Sequence, residues 1–230
     1  MVRGEEGCRV STSFDLKSGD LTSEGSSGVA TSFLRGAKLA DLVHRASTSG
    51  TNKATAGDAP GQLPALARTV DRLHLAIGAA LALNATRKSA LLIAYVDTGE
   101  ATLAEWKPLL RLAAEQMVPM IFVVLPGVSQ KNSGQLGLVS SKCGVPGIPV
   151  DAADPVALFR VAQESMLRAR AGGGPVLMEC IPFQLAGRKA VVADPIQTMQ
   201  EFLLHRKIVD EAWLNGVQTR FLARLQAARS

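Results

Sequence analysis

Three short apolar runs constrain this chain more than any other feature. They are Ala90–Val96 (ALLIAYV), Met120–Leu125 (MIFVVL) and Pro175–Ile181 (PVLMECI). Each has strand length, is apolar almost throughout rather than alternating, and stops at turn-forming residues: Asp97-Thr98-Gly99, then Pro126-Gly127, then Pro182. Continuous apolar strands belong to sheets covered on both faces. Between them lie stretches of helical character. Thr102–Met117 puts Leu103, Trp106, Leu110 and Ala113 on one face, with Pro108 as a kink or a late start. Asp154-Pro155 opens another helix, with Asp154 as N-cap and Pro155 at the first helical position. That helix runs to about Arg170 and ends at Gly172-Gly173-Gly174. Strands separated by helices, joined by right-handed crossovers, predict an α/β fold: a parallel sheet with helices on both faces.

The remaining text fits around this centre. Ile148-Pro149-Val150 reads as a short edge strand, and residues 127–147, rich in Gly, Ser and Pro, as a long loop. An Ala- and Leu-rich helix is expected over 66–83, with Gly78 admitting a close neighbour. A further helix is expected over 33–46, and two C-terminal helices over about 196–206 and 210–228. Residues 1–30, full of Ser, Thr and Gly, read as a flexible extension. The expected organisation is therefore an extension at 1–30, an α/β domain at 31–195 and a helical appendage at 196–230.

Composition narrows the function classes. With 47% hydrophobic residues, 230 residues fill one core, and only 4% are aromatic, so the core packs small and branched side chains. The balance of 25 Lys and Arg against 20 Asp and Glu is mildly basic, and no basic run interleaves with aromatics. Nucleic-acid binding is not expected. No apolar run approaches the roughly 20 residues that span a bilayer, so no membrane association is expected. Cys8, Cys143 and Cys180 are far apart, odd in number and without CxxC spacing, which suits a reducing cytoplasm and argues against zinc. His44, His74 and His205 have no metal-ligand spacing, and GxSxG, Walker and GxGxxG motifs are absent.

Open parallel sheets bind ligands beyond the carboxyl ends of their strands. The candidate loops are Asp97-Thr98-Gly99-Glu100, Pro126-Gly127-Val128-Ser129 and Pro182–Lys189. Asp97 and Glu100 offer oxygen ligands for a divalent cation. Equally, Asp97 could cap the next helix, with Glu100 near its positive end. Arg188-Lys189 suits a phosphate or is a solvated basic pair. Trp106 and Trp213 read as helix-packing anchors.

Several ordered segments carry a resemblance. GVPGIPVDAADPVALFRVAQESMLRARAGGGPVLMEC at 144–180 is similar to a G-x-P-G-x-x-V-D-G-x-D segment followed by a helix and R-A-R-x-G-x-G-P-x-L-I-E. LHLAIGAALA at 73–82, AEQMVPMIFVV at 114–124, ADPIQTMQEFLLHRKIVDEAWL at 193–214 and RGAKLADLVHRA at 35–46 add to it. Together they resemble the alpha subunit of the thiamine diphosphate-dependent decarboxylating component of pyruvate and branched-chain 2-oxoacid dehydrogenases, in a divergent and N-terminally shortened form.

The resemblance implies the thiamine diphosphate-binding fold, thiamine diphosphate and Mg2+ as cofactors, a beta subunit as partner and a heterotetramer. It also implies oxidoreductase chemistry on the oxo group of a 2-oxoacid. The family's G-D-G loop falls on Asp97, Thr98 and Gly99, so Thr98 stands where the metal-binding aspartate is expected. Its asparagine pair falls on Pro126 and Gly127, and its G-H-S loop on Gly187, Arg188 and Lys189. The implied cofactor-binding positions are thus Asp97, Thr98, Gly99, Gly127 and Arg188, with no metal ligand assigned. Two readings follow: an alpha-type subunit of the dehydrogenase, or a non-catalytic relative with a structural or regulatory role.

Overall fold

The structure, a computed structural model, describes residues 5–25, 29–48, 60–86, 89–126, 134–182 and 194–229. Within them five strands form one all-parallel sheet. The strands are β1 (Leu21–Ser23), β2 (Leu92–Asp97), β3 (Met120–Leu125), β4 (Gly147–Asp151) and β5 (Val176–Ile181), arranged β1-β2-β3-β5-β4. The three apolar runs are adjacent, as β2, β3 and β5, and β4 is an edge strand as expected.

Alternation along the strands divides the core. Leu92, Ala94 and Val96 with Met120, Phe122 and Val124 face α4 (Thr69–Ala85) and α5 (Leu103–Glu115). Leu91, Ile93 and Tyr95 with Ile121, Val123 and Leu125 face α1 (Glu5–Ser13) and α7 (Pro155–Arg170). A period of two puts one set on each face, and both sets are buried, which is why these strands read as unbroken apolar runs. Trp106 of α5 is buried edge-on against Phe122, with ring centroids 5.7 Å apart.

Helix boundaries follow local chemistry. Thr102 and Glu105 form a reciprocal capping box at the start of α5. Asp154 accepts from Val156 N and Ala157 N at the start of α7. α7 ends where Gly172 and Gly174 take positive φ, a conformation that costs glycine little. The C-terminal helices are α8 (Pro195–His205) and α9 (Glu211–Ala227).

Several expectations are corrected. The described part of 1–30 holds helix α1 and strand β1 rather than an extension. The hydroxyls of α1 bond its own carbonyls, Thr12 Oγ1 to Cys8 O at 2.7 Å and Ser13 Oγ to Arg9 O at 2.6 Å, so a polar sequence is buried without orphaned donors. In place of one helix over 33–46 there are two, α2 (Val29–Leu34) and α3 (Leu39–Thr48), parted by a turn in which Gly36 has φ +95°. The loop expected over 127–147 contains α6 (Gln135–Lys142). The buried Glu179 carboxylate of β5 anchors its first turn, accepting from Gly134 N at 2.8 Å and Gly137 N at 2.7 Å. α6 then lies so close to β4 that a Cβ on Gly147 would sit 2.1 Å from Gly137 O. Gly78, in contrast, faces open space. Trp213 is no packing anchor within the chain, being 49% exposed.

Candidate functional site at the carboxyl ends of β1 and β2

Asp97 is the last residue of β2, and Thr98, Gly99 and Glu100 form the turn beyond it. Glu100 N donates to Asp97 O at 3.1 Å, and Gly99 takes φ +95°, which closes the turn. Thr98 leans towards β3, and both its backbone N (3.1 Å) and its Oγ1 (2.6 Å) donate to Leu125 O. The turn is thereby pinned to the end of the neighbouring strand. Asp97 does not cap the following helix; Thr102 does. Gly127 and Arg188, with Gly187 and Lys189, lie outside the described residues. Pro126 is buried at the end of β3.

Arg72 of α4 comes up from behind the turn. Its side chain is buried, with Nη1 donating to Tyr95 O at 2.7 Å and Nη2 to Glu100 Oε2 at 3.0 Å. Glu100 Oε2 also accepts from Asp97 N at 3.3 Å. Burial pushes the Arg72 pKa down, and the carboxylates of Glu100 and Asp97 oppose that shift.

On the other face of the sheet, α1 delivers Arg9. It bonds Glu5 Oε1 at 2.9 Å and Glu24 Oε2 at 2.6 Å, and its guanidinium lies 5.1 Å from the centroid of the Tyr95 ring. The Tyr95 hydroxyl meets Thr12 Oγ1 at 2.9 Å. Burial works against the Arg9 charge, but Glu24 and Glu5 outweigh it and hold its pKa above the ordinary value. Burial raises the Glu24 pKa, with Arg9 pulling it back. Asp97 is raised as well, first by burial and then by Glu100 and Glu5.

Glu24, Arg9 and Arg72 were not singled out from the sequence. Arg72 carried a signal: it falls on the same helical face as Leu73, Ala76 and Ala80, where an apolar residue belongs. A charge on a buried face needs a built partner. Among the described residues, three buried polar atoms in this region have no hydrogen-bond partner: Thr22 Oγ1, Ser23 Oγ and Arg72 Nε. Groups of this kind normally bond water or a ligand. The arrangement is a partly satisfied charged cluster, centred where parallel sheets bind ligands. Among the described residues, no group of three or more His, Cys, Asp or Glu is placed to hold a metal ion.

A five-stranded parallel sheet carrying helices on both faces, with its polar cluster beyond the carboxyl ends, has the α/β fold of the thiamine diphosphate-dependent enzymes. An X-ray structure of a Mycobacterium smegmatis protein assigned to those enzymes superposes with a TM-score of 0.51 at 12% identity, over 79% of this chain and 32% of that one. At that identity the likeness is one of fold.

Residues 1–200 match the dehydrogenase E1 component, and the chain belongs to that family. It is 28% identical over 178 residues to the pyruvate dehydrogenase E1 component subunit alpha of Staphylococcus aureus, covering 66% of this chain and 48% of the relative. It is 26% identical over 151 residues to the chloroplastic subunit alpha-3 of the same component in Arabidopsis thaliana, covering 56% and 35%. The subunit alpha of Porphyra purpurea is 29% identical over 133 residues, covering 48% and 39%. The chain therefore spans between about a third and a half of the length of these curated relatives.

Proposed function

We propose that this chain is an alpha-type member of the E1 component that pairs with a beta-type subunit in a heterotetramer but does not hold magnesium diphosphate in the family's manner. It then serves as a non-catalytic structural or regulatory relative of the subunit that takes part in oxidative decarboxylation of pyruvate or a branched-chain 2-oxoacid. The observation that carries this reading is the state of Thr98. At the position where the resemblance expects a metal-binding aspartate, a hydroxyl is donated to Leu125 O. Mg2+ calls for near-octahedral oxygen ligation. Pro126 and Gly127 supply no side-chain oxygen at the second implied position. Asp97 remains, but it lies one residue before the implied metal-binding position, at the end of β2. These residues do not fit the magnesium–diphosphate group.

The location we propose is the cytoplasm. Its support is three cysteines without disulfides, in a chain where no helix among the described residues is long and apolar enough to cross a membrane.

The test is calorimetric titration of thiamine diphosphate with Mg2+ into this chain reconstituted with the beta-type subunit. The expected result is a stable complex that shows no magnesium-dependent heat of binding. Magnesium-dependent saturable binding would restore the catalytic reading. Failure of the two chains to co-purify would remove the subunit role.

A further inference from the structure

The carboxylate of Glu100 is held the way a bound anion would be. Its Oε2 accepts from Arg72 Nη2 at 3.0 Å, from Thr69 Oγ1 at 3.3 Å and from Asp97 N at 3.3 Å. Thr69 opens α4, a helix of 17 residues, and Arg68 at its N-cap makes no side-chain hydrogen bond to the first turn. A helix N-terminus favours negative charge.

Arg72 shows that this anion fills its place only in part. Nε and Nη2 lie on one edge of a guanidinium and together match two oxygens of an oxyanion. Glu100 takes Nη2, while Nε is buried without a partner. Arg170, by comparison, has both of the oxygens of Asp20. Gly25 lies against the Arg72 guanidinium, where a Cβ would sit 3.0 Å from Nη2 and 3.4 Å from Nε. Ser23, in register with Ala94 on the α4 face of the sheet, adds a buried hydroxyl that has no partner.

We propose that Glu100 is a built-in anion, which fills an oxyanion cradle made by Arg72, Thr69 and the Asp97 amide and bars a free phosphate group from it. The inference rests on the proposed function, because it gives a reason in this chain's own residues why magnesium diphosphate is not held. Among the described residues Glu100 is the carboxylate within ion-pair distance of Arg72. Asp97 and Glu24 act on Arg72 only from further away. Removing the Glu100 side chain therefore leaves a buried cation with its donors open, and an oxyanion from solution restores what was lost.

The experiment is calorimetric titration of inorganic phosphate into the full chain, near neutral pH and at constant ionic strength. Neither Mg2+ nor a beta-type subunit is added, so its result is separate from that of the reconstituted complex. The wild type should give no saturable heat. Glu100→Ala should bind phosphate with a Kd on the order of 1 mM, at least tenfold tighter than the wild type. The amide resonances of Thr69 and Asp97 should move during that titration.

Adding Arg72→Met to Glu100→Ala should abolish the binding, and adding Thr69→Val should weaken it several-fold. Asp71→Asn removes an exposed charge from the same turn of α4 and should not open the cradle. If Glu100→Ala loses the circular dichroism spectrum of the wild type, Glu100→Gln takes its place with the same expectation. Equal binding by wild type and variant overturns the proposal, as does a folded variant that binds no phosphate. Binding that survives the loss of Arg72, or an equal gain from Asp71→Asn, overturns it as well.

Discussion

The guanidinium of Arg170, at the end of α7, binds both carboxylate oxygens of Asp20, 150 residues earlier in the chain. Asp20 is fully buried just before β1 and also accepts from Lys17 N at 2.6 Å and Leu91 N at 3.0 Å. Arg170 donates in addition to Ser89 O. One carboxylate thus gathers the entries to β1 and β2 and the exit of α7, at the opposite end of the sheet from the candidate site. Asp20→Ala strands a nearly buried cation and two backbone donors. A loss of about 3–5 kcal/mol is expected, measured by urea unfolding followed by circular dichroism.

Arg72 behaves differently, because its partner Glu100 is partly exposed. Arg72→Met keeps the packing of α4 but removes the donors to Tyr95 O and Glu100. A loss of about 1–3 kcal/mol is expected. Hydrogen exchange should quicken in the 97–100 turn while β5 keeps its protection.

Asp97 gives a pH signature. Its carboxyl is held above the ordinary range by burial, then by Glu100 and Glu5, against the pull of Arg9 and Arg72. A carboxyl whose folded pKa is raised binds its proton more tightly folded than unfolded. Its stabilising contribution is therefore full below the ordinary carboxylate range and is lost as the pH climbs through the raised value. Asp97→Asn removes this dependence. The variant should match the wild type in acid and exceed it near neutral pH, as read from unfolding midpoints across that range. A wild type that gains on the variant as pH rises would refute the assignment.

Phe122 sits at the centre of β3, fully buried and edge-on to Trp106. Phe122→Ala leaves a cavity in a face of the core that has few aromatics to reshape around it. A loss of about 3–5 kcal/mol is expected, together with a red shift of the Trp106 emission.

Thr98→Val removes the Oγ1 bond to Leu125 O but retains shape. About 0.5–1.5 kcal/mol of stability should go with it, seen as a lower thermal midpoint.

The elements that could be read in advance share a physical trait: their signal is carried by nearby residues. β2, β3 and β5 announce themselves through unbroken apolar runs, α5 and α7 through their caps, and the end of α7 through its glycines. α1, β1 and α6 have no such signal. α1 is polar and becomes a buried helix because its hydroxyls turn back on its own carbonyls and Arg9 finds Glu24 fifteen residues on. α6 forms in a Gly- and Ser-rich stretch because Glu179 reaches its first turn from β5.

The candidate site divides in the same way. Asp97, Thr98, Gly99 and Glu100 are recognisable because they follow an apolar strand. Glu24, Arg9 and Arg72 are not, since a lone charge in a sequence does not reveal whether it will be solvated or paired.

What the sequence alone determined is a parallel sheet covered on both faces, its three inner apolar strands and the E1 kinship of the chain. Period and apolar length are local quantities, and the burial of a run depends little on which run lies beside it. Only the tertiary structure decided that β1 joins the edge of the sheet, that Arg72 stands behind the 97–100 turn, and that Thr98 is tied to Leu125. Those outcomes depend on which distant groups arrive together, because a buried charge or hydroxyl is stable only beside a partner that the fold brings to it.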